Sequence, residues 1–462
     1  MKVDTKLRTQ NLEEKIRQFW PLSANKIRSI RDRFPAESGS PVFTAGGKYT
    51  TRGWTEWTQG FQFGSAILQF EADGQSEFLE YGRENTLLHM APHLTHTGVH
   101  DHGFNNLSTY GNLLRLMEEG KIPVNEWERN FYMLALKVSA SVQAQRWTEI
   151  KGGGYIYSFN GPHSLFVDTL RSCRMLAMGY QLRHSLKSEN DEEISLLGRL
   201  VDHARATAQF SVFYGEGRDA YDVPGRTAHE CIFNVNDGNF RCVNTQQGYS
   251  GFSTWTRGLA WAMLGFAELL EFLDTVADED LEELGARTKI EATWLRAARA
   301  TCDFYIQNTP SDGIPYWDTG APGLRHLEDY LEKPSDPYNA FEPVDSSAAA
   351  IAAQGLLRLG HYLKHRGQGA EGEKFFQAGL TVARYLFDDP YISRDGDHQG
   401  LILHSIYHRP MGWDHVPEGS GIPRGESSMW GDYHARELAI YLSRIIRNEP
   451  YYTFFISEQA YE

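Results

Sequence analysis

DSSAAAIAAQGLLRLGHYLKHRG, residues 345–367, is the stretch that decides the fold, because it predicts a long α-helix. Pro343 precedes it, and the Asp345 side chain can cap the first free backbone N–H groups. The helical pattern continues to Gly367 as a stripe of leucines at three-to-four spacing, Leu356, Leu359 and Leu363.

The same pattern recurs along the chain, whereas alternating strand patterns are few and short. Between Glu193 and Phe213 the apolar residues again fall on one face. With these two segments, about twelve helices are predicted, the others near 11–33, 57–70, 84–90, 105–119, 125–146, 164–186, 255–274, 287–307, 370–387 and 426–446. No linker or composition break divides the chain, so we expect one all-α domain over residues 1–462. The helices share no repeat motif that supports a solenoid. The pattern is still compatible with helical hairpins that close into a ring.

Charge and composition indicate which kinds of binding partner the protein can have. A net charge of −15 lacks the basic footprint that nucleic acid needs, although a small anion needs only one or two cations in a shielded pocket. The first twenty residues have no apolar signal region, and no stretch is long enough for a membrane span. Four cysteines without CxxC spacing indicate buried thiols in a reducing compartment. We therefore expect a cytoplasmic protein without nucleic-acid or membrane partners.

Two aspartates are candidates for catalysis. Asp101 lies in the turn sequence HDHGF, and Asp168 lies in SLFVDTL among apolar residues. Two carboxylates that converge on a cleft raise the pKa of one of them, which then can act as a general acid. The alternative is structural: Asp101 caps a helix and Asp168 forms a salt bridge.

Five histidines surround Asp101 in the sequence, and four of them have helical spacing that suggests a metal site: His89, His93, His96, His100 and His102. Pro92 and Gly98 interrupt a continuous helix, so the histidines should not share one face. We expect polar loop and cleft residues here, with no metal.

Aromatic residues make up 13% of the chain, which fits either a large core or a sugar cleft. In WTQGFQFG, Trp57 and Phe61 fall on adjacent turns of one face. In QGYSGFSTWTRGLAW, residues 247–261, Arg257 is four residues from both Ser253 and Trp261. A guanidinium beside indoles suits a carboxylated sugar, although Trp255 and Trp261 could equally be core residues.

Taken together, the motifs resemble the unsaturated glucuronyl hydrolase family of (α/α)6-barrel enzymes. They occur in family order from about Trp54 to Glu437, and the block His229–Trp261 has the family's internal spacing. The matching motifs outside that block are WTQGFQFG, HDHGF, VDTL, GIPYWD, DSSAAAIAA, GLILH and WGDY.

The resemblance implies an all-α (α/α)6 barrel that needs no metal or other cofactor and hydrates unsaturated uronic-acid sugars. It implies that Asp168 is the general acid and base and that Asp101 is the second essential carboxylate. Phe159 stands where the family often has tryptophan. The substrate-binding residues expected from the resemblance are Trp57, Phe61, His100, Phe159, His229, Gln247, Arg257 and Trp261.

Several positions depart from the family pattern and indicate a divergent branch. Gly251 and Phe252 replace an acidic pair, Leu259 replaces a frequent glutamine, and His102 replaces an apolar residue. The loop 152–162 also differs. These departures bear on the specificity of the sugar subsites and leave the aspartate pair intact.

The expected partner is a small oligosaccharide with an unsaturated uronate, bound by a monomer or homodimer. An unsaturated rhamnogalacturonyl hydrolase shares the barrel and the chemistry. An N-acylglucosamine 2-epimerase-like isomerase would instead depend on His89, His93 or His96. A non-catalytic sugar-binding module and a metal-dependent hydrolase are the remaining alternatives.

Overall fold

The computed structural model describes residues 1–34, 39–53, 56–450 and 452–455; Trp54, where the resemblance begins, lies outside these ranges. The α-helices are Glu13–Arg33 (α1), Gln59–Asp73 (α2), Ser76–His89 (α3), Ala91–Leu94 (α4), His102–Asn106 (α5), Asn112–Glu118 (α6), Glu126–Gln145 (α7), Thr169–Ser172 (α8), Arg174–Gln181 (α9), Leu196–Ala206 (α10), Thr256–Leu273 (α11), Asp278–Leu281 (α12), Arg287–Asn308 (α13), Ser346–His365 (α14), Gly369–Leu386 (α15) and Met429–Ile446 (α16). Two π-helical segments, Leu107–Gly111 and Thr207–Ser211, join α5 to α6 and extend α10.

The helices form two concentric rings. Six nearly fully buried segments line the inside of the described chain: α2, α5–α6, α8–α9, α11, α14 and α16. Each inner segment contacts the next, and α16 returns to α2, which closes the ring. The outer helices are α3, α7, α10, α13, α15 and α1. This is the (α/α)6 barrel that the resemblance implies.

Close contacts between the inner helices explain two glycines of the motifs. A Cβ atom on Gly60 would lie 2.3 Å from the Asn105 carbonyl oxygen, where α2 meets α5. A Cβ atom on Gly103 would lie 2.0 Å from the Ser172 carbonyl oxygen, where α5 meets α8. Both distances are shorter than any non-bonded contact allows. The close contact at Gly103 brings together the starts of α5 and α8, which the two aspartates directly precede.

Short strands occupy the loops: Phe43–Ala45 (β1), Lys48–Thr50 (β2), Trp147–Ile150 (β3), Gly153–Ile156 (β4), Ser164–Phe166 (β5), Leu186–Lys187 (β6), Glu193–Ile194 (β7), Glu230–Phe233 (β8) and Phe240–Asn244 (β9). Three of them form one antiparallel sheet in the order β5-β8-β9, with Phe166 opposite Glu230. The Val167 N–H also donates to the His229 carbonyl oxygen at 2.9 Å. This sheet places Asp168 beside His229.

The helix predictions hold for most of the chain, with three errors. The helix predicted near 84–90 is only the end of α3, which begins at Ser76. The segment 164–186 begins with a strand, and its helices run only from Thr169 to Gln181. Ser253 does not share a helical face with Arg257, because α11 begins at Thr256. No helix within the described residues has the length and apolar character that crossing a membrane requires.

Candidate active site

A cavity lies at the amino-terminal ends of four inner helices, α2, α5, α8 and α11. Asp101 and Asp168 directly precede α5 and α8 and both line it. Its wall consists of Trp57, Val99, His100, Asp101, Phe104, Phe159, Phe166, Asp168, Gln246, Gln247, Trp255, Arg257, Trp261, Tyr407 and His408. The aromatic rings in this wall suit a sugar, because they can stack on the apolar C–H faces of a pyranose ring.

The two aspartates face each other across His100. Nε2 of His100 lies 3.0 Å from Oδ2 of Asp168 and 3.7 Å from Oδ1 of Asp101. One ligand atom from each of the three residues lies within 4.8 Å of the other two. Both carboxylates are buried, at 7% and 8% exposure. The arrangement is therefore a compact pair of carboxylates that share one imidazole.

The surroundings shift the pKa values of the two carboxylates in opposite directions. Burial and the charge of Asp168 raise the pKa of Asp101, against the opposing charge of His100. For Asp168 burial acts in the same direction, but the hydrogen bond from His100 and the charge of His100 outweigh it and lower the pKa. Burial acts to lower the pKa of His100, but the charge of Asp101 and the bond to Asp168 outweigh it and raise it. The ligand-free site thus favours a protonated His100 beside an ionised Asp168.

His229 presents an N–H group to Asp168. Its Nδ1 accepts hydrogen bonds from the backbone N–H groups of Gln246 and Gln247, at 3.1 and 3.4 Å. The ring proton therefore sits on Nε2, which lies 3.7 Å from Oδ1 of Asp168. Burial lowers the pKa of His229 to about 4, so the ring is neutral at pH 7. Neither that Nε2 nor that Oδ1 has a hydrogen-bond partner within the described chain.

Arg257 belongs to the cavity wall, and other protein groups hold its guanidinium in place. Its Nη1 donates to Oδ2 of Asp345 at 3.1 Å and to the Ile406 carbonyl oxygen. Its Nη2 donates to the Tyr407 carbonyl oxygen at 2.8 Å and to Oε1 of Gln247 at 2.7 Å. Both terminal nitrogens are thus held by the protein, and the Gln247 amide nitrogen is left as a donor that lines the cavity. Gln247 is therefore the group beside the cavity that Arg257 orients.

The aromatic residues of the prediction take different places. Trp57 stacks on Trp430 at 5.1 Å between ring centroids and lines the cavity, as Phe159 and Trp261 also do. Phe61 is fully buried and packs against Trp57 and Tyr433. The prediction that Phe61 belongs to the sugar-binding wall is therefore corrected, because it lies behind that wall and supports Trp57.

Known proteins with similar sequences are enzymes of one kind. The chain is 27% identical over 432 residues to the unsaturated glucuronyl hydrolase of Bacillus sp. (strain GL1), which covers 92% of this chain and 94% of the relative. It is 24% identical to an unsaturated glucuronyl hydrolase of Formosa agariphila, over 83% and 78% of the two chains. An unsaturated chondroitin disaccharide hydrolase of Streptococcus pyogenes is 24% identical, over 92% and 90%. No family model matches the chain.

Solved structures agree with this comparison. The crystal structure of the Bacillus sp. GL1 enzyme superimposes with a TM-score of 0.69, over 94% of this chain and 97% of that one. The structure of the unsaturated glucuronyl hydrolase from Streptococcus agalactiae gives 0.70 at 21% identity, over 97% and 94%. Over most of its length the chain is thus similar, at low identity, to enzymes of the unsaturated glucuronyl hydrolase family.

The histidine-rich run does not form a common site. Both ring nitrogens of His93 are engaged, by Gln59 and Asn105, and His89 stacks on Phe63. His102 is buried and bonds to Ser139 and to the backbone of the same run. Of these histidines only His100 lines the cavity.

Several cavity residues were not predicted from the sequence. Gln246, Phe166, Tyr407 and His408 belong to loops and to the short strand β5, where no helical period marks them. The available signal was weak: Gln246 directly precedes the recognised QGYS motif. Tyr407 and His408 follow the GLILH motif by only a few residues, and His408 packs on Trp413 at 4.8 Å.

Proposed function

We propose that this enzyme is a glycoside hydrolase that removes a 4,5-unsaturated uronic acid from the oligosaccharides left by polysaccharide lyases. The observation that carries the proposal is the pair Asp101 and Asp168, which share His100 at the base of an aromatic cavity. The similar proteins are named as hydrolases of unsaturated glucuronyl or chondroitin disaccharide substrates, which supports the same chemistry.

The substrate carries a C4=C5 double bond conjugated to its carboxylate, with the ring oxygen on C5. Protonation of C4 leaves an oxocarbenium-like centre at C5, and water adds there. The hemiketal then opens and the remaining sugar is released. The reaction requires an acid at C4, a base for the water and donors for the carboxylate.

Asp168 serves as both acid and base. It takes the first proton from His100 along the 3.0 Å hydrogen bond and passes it to C4. The resulting carboxylate then accepts a proton from the water that attacks C5. Each proton-transfer role contributes about 10²–10⁴-fold. Asp101, whose pKa is raised, remains beside the pair and hydrogen-bonds the ring hydroxyls.

The uronate carboxylate is held by neutral donors. The Gln247 amide nitrogen lines the cavity, and the charge of Arg257 behind it strengthens that donor. The His229 N–H faces Asp168 and orients the attacking water between them. Trp57 and Trp261 confine the ring.

We also propose that residues 1–462 form one catalytic domain, because one buried hydrophobic cluster contains residues from Leu7 to Phe455. The domain acts on a small oligosaccharide without a metal. Activity that persists in a strong chelator is the expected result, and its loss with recovery on adding a divalent cation would contradict this.

Purified protein incubated with lyase-generated disaccharides tests the proposal. The ultraviolet absorbance of the conjugated double bond should fall as the saturated sugar is released, and the preferred disaccharide identifies the parent polymer. Unchanged absorbance on every unsaturated uronide, with a folded protein, would contradict it. Epimerised products lost on mutation of His93 would favour the isomerase instead.

A further inference from the structure

Glu230 carries a buried carboxylate next to the cavity. In the described part of the chain this carboxylate forms no ion pair with a cation. It is 1% exposed. Its oxygens accept hydrogen bonds from Nδ2 of Asn160 at 2.9 Å, from Nδ2 of Asn244 at 2.7 Å and from the Ser164 hydroxyl. Burial of a charge without a counter-charge is costly, and here only neutral donors offset it.

The carboxylate fixes the direction of a chain of amides. Because an ionised carboxylate only accepts, Asn160 must turn its NH₂ group toward Glu230 and its oxygen away. That oxygen accepts a hydrogen bond from Nε2 of Gln246 at 2.6 Å. The side-chain NH₂ group of Gln246 is therefore taken up by its hydrogen bond to Asn160. Its carbonyl oxygen, for which no donor is found among the described residues, remains as an acceptor.

Gln246 stands at the cavity in a fixed position. It lines the wall together with Asp168 and Gln247, and its backbone N–H is bonded to His229. The same loop segment that holds Asn160 carries Phe159, which also lines the cavity. A ligand in the cavity thus meets an oriented acceptor at Gln246 rather than an amide free to rotate.

We propose that the chain Glu230–Asn160–Gln246 fixes Gln246 as an acceptor for a hydroxyl group of the bound sugar, so that the enzyme selects a free hydroxyl over a sulfate ester at that position. The inference rests on the proposed function and adds a specificity to it. Glu230 and Asn160 are positioning residues, and Gln246 makes the contact.

The physical basis is that a sulfate ester has no proton to donate. Its oxygens would face the Gln246 oxygen and lie in the same cavity as Asp101 and Asp168. Arg257, the only arginine or lysine in the cavity wall as described, has both terminal nitrogens occupied. The loss of one hydrogen bond, which leaves a buried acceptor unpaired, corresponds to a roughly tenfold decrease in kcat/KM.

The test compares unsaturated chondroitin disaccharides that are unsulfated or carry one sulfate at the 2-, 4- or 6-position. The wild-type enzyme should turn over at least one sulfated isomer about tenfold more slowly than the unsulfated sugar. Asn160→Leu frees Gln246 to rotate, and Gln246→Met removes the acceptor. Both variants should lose most of that preference, chiefly through a higher KM for the unsulfated sugar.

Two controls separate positioning from stability. Asn244→Leu removes a hydrogen bond from the same carboxylate but leaves the Asn160–Gln246 bond, so the preference should remain. The double variant Asn160→Asp/Glu230→Gln reverses the first bond, yet the carboxylate at 160 still accepts from Gln246. It should therefore restore the preference that Asn160→Leu loses.

Equal turnover of all four disaccharides by the wild-type enzyme would overturn this inference alone. An equal loss of preference in Asn244→Leu and Asn160→Leu would also overturn it. Failure to turn over any unsaturated uronide would overturn the proposed function and this inference with it.

Discussion

Arg257 holds several groups of the cavity wall together through its hydrogen bonds. Its guanidinium joins Asp345, Gln247 and two backbone carbonyl groups. In Arg257→Lys one ammonium group cannot reach all these acceptors, and Asp345 loses its partner. We expect kcat/KM to fall about 100-fold and the free energy of unfolding to fall by about 3 kcal/mol. Steady-state kinetics and urea denaturation measure the two effects.

Gln247→Leu is the matched control for Arg257. It removes the donor at the cavity and keeps the ion pair with Asp345, so KM should rise while the free energy of unfolding stays nearly unchanged. Wild-type kinetics in Arg257→Lys would refute the orienting role.

Trp57 lines the cavity, whereas Phe61 lies behind it and supports Trp57, so substitutions at the two positions should have different effects. Trp57→Leu removes a ring that lines the cavity and should raise KM with little loss of stability. Phe61→Leu leaves a cavity in a fully buried aromatic cluster and should lower the free energy of unfolding by about 1–2 kcal/mol, with a smaller change in KM. Kinetics and thermal unfolding of both variants give the comparison. A larger change of KM in Phe61→Leu would contradict the assignment.

At the residue scale the sequence predicted what its motifs contain. Asp101, Asp168 and Gln247 lie in short recognisable patterns and line the cavity. The exact neighbours of each could not be predicted: Arg257 was expected at the uronate but bonds to protein acceptors. Bond directions such as these depend on residues about 90 to 150 positions away.

Among the elements, the helix α5 depends on a glycine for its contact with α8. Gly103→Ala would place a methyl group 2.0 Å from the Ser172 carbonyl oxygen, so the helices must separate. We expect at least about 3 kcal/mol of destabilisation and a matching loss of activity, because Asp101 and Asp168 precede these helices. Urea denaturation with activity measurements tests this.

Gly198→Ala in the outer helix α10 is the matched control. Its new methyl group would meet Ser195 at 3.4 Å and Leu284 at 3.7 Å, both ordinary contacts, so the change should be neutral or stabilising by up to about 1 kcal/mol. Equal destabilisation by both substitutions would show that helix packing at Gly103 is not the cause.

Amphipathic spacing predicted most of the long helices to within a few residues, since one face of each is apolar, but it missed the first eight residues of α3. It missed the strand β5, because SLFV is too short an apolar run to separate a strand from a helix. That strand matters for function: its pairing with β8 brings Asp168 to His229.

For the molecule as a whole, buried neutral histidines make stability depend on pH. Burial lowers the pKa of eight described histidines from 6.5 to about 3 or about 4: His93, His102, His203, His229, His361, His404, His408 and His434. Below pH 6.5 the unfolded chain binds more protons at these groups than the folded chain does. Stability is therefore present above pH 6.5 and is lost as the pH falls toward 4.

Some buried carboxyl groups act in the opposite direction. Burial raises the pKa of Asp318 and Asp414 to about 6, so the folded chain binds protons there first. The histidines outnumber them, and we expect the free energy of unfolding to fall by several kcal/mol between pH 7 and pH 5. Urea denaturation across this range measures it, and His361→Gln should reduce the slope. A flat profile would contradict the prediction.

Ring closure is the feature of the whole molecule that creates the site. Residues from Trp57 to His408 meet only because α16 returns to α2, and no local pattern encodes that meeting. The family resemblance predicted the barrel, whereas the contacts of each side chain became known only from the structure. At this site we propose that Asp168 protonates the double bond of an unsaturated uronide.

Absorbance of the conjugated double bond, followed alongside the release of reducing ends, tests that claim with Asp168→Asn and the wild-type enzyme. We expect the wild-type enzyme to lose absorbance in step with release, and Asp168→Asn to slow both by at least about 10³-fold while still binding the disaccharide. Near-normal turnover by Asp168→Asn, or reducing ends released while the absorbance stays constant, would contradict it.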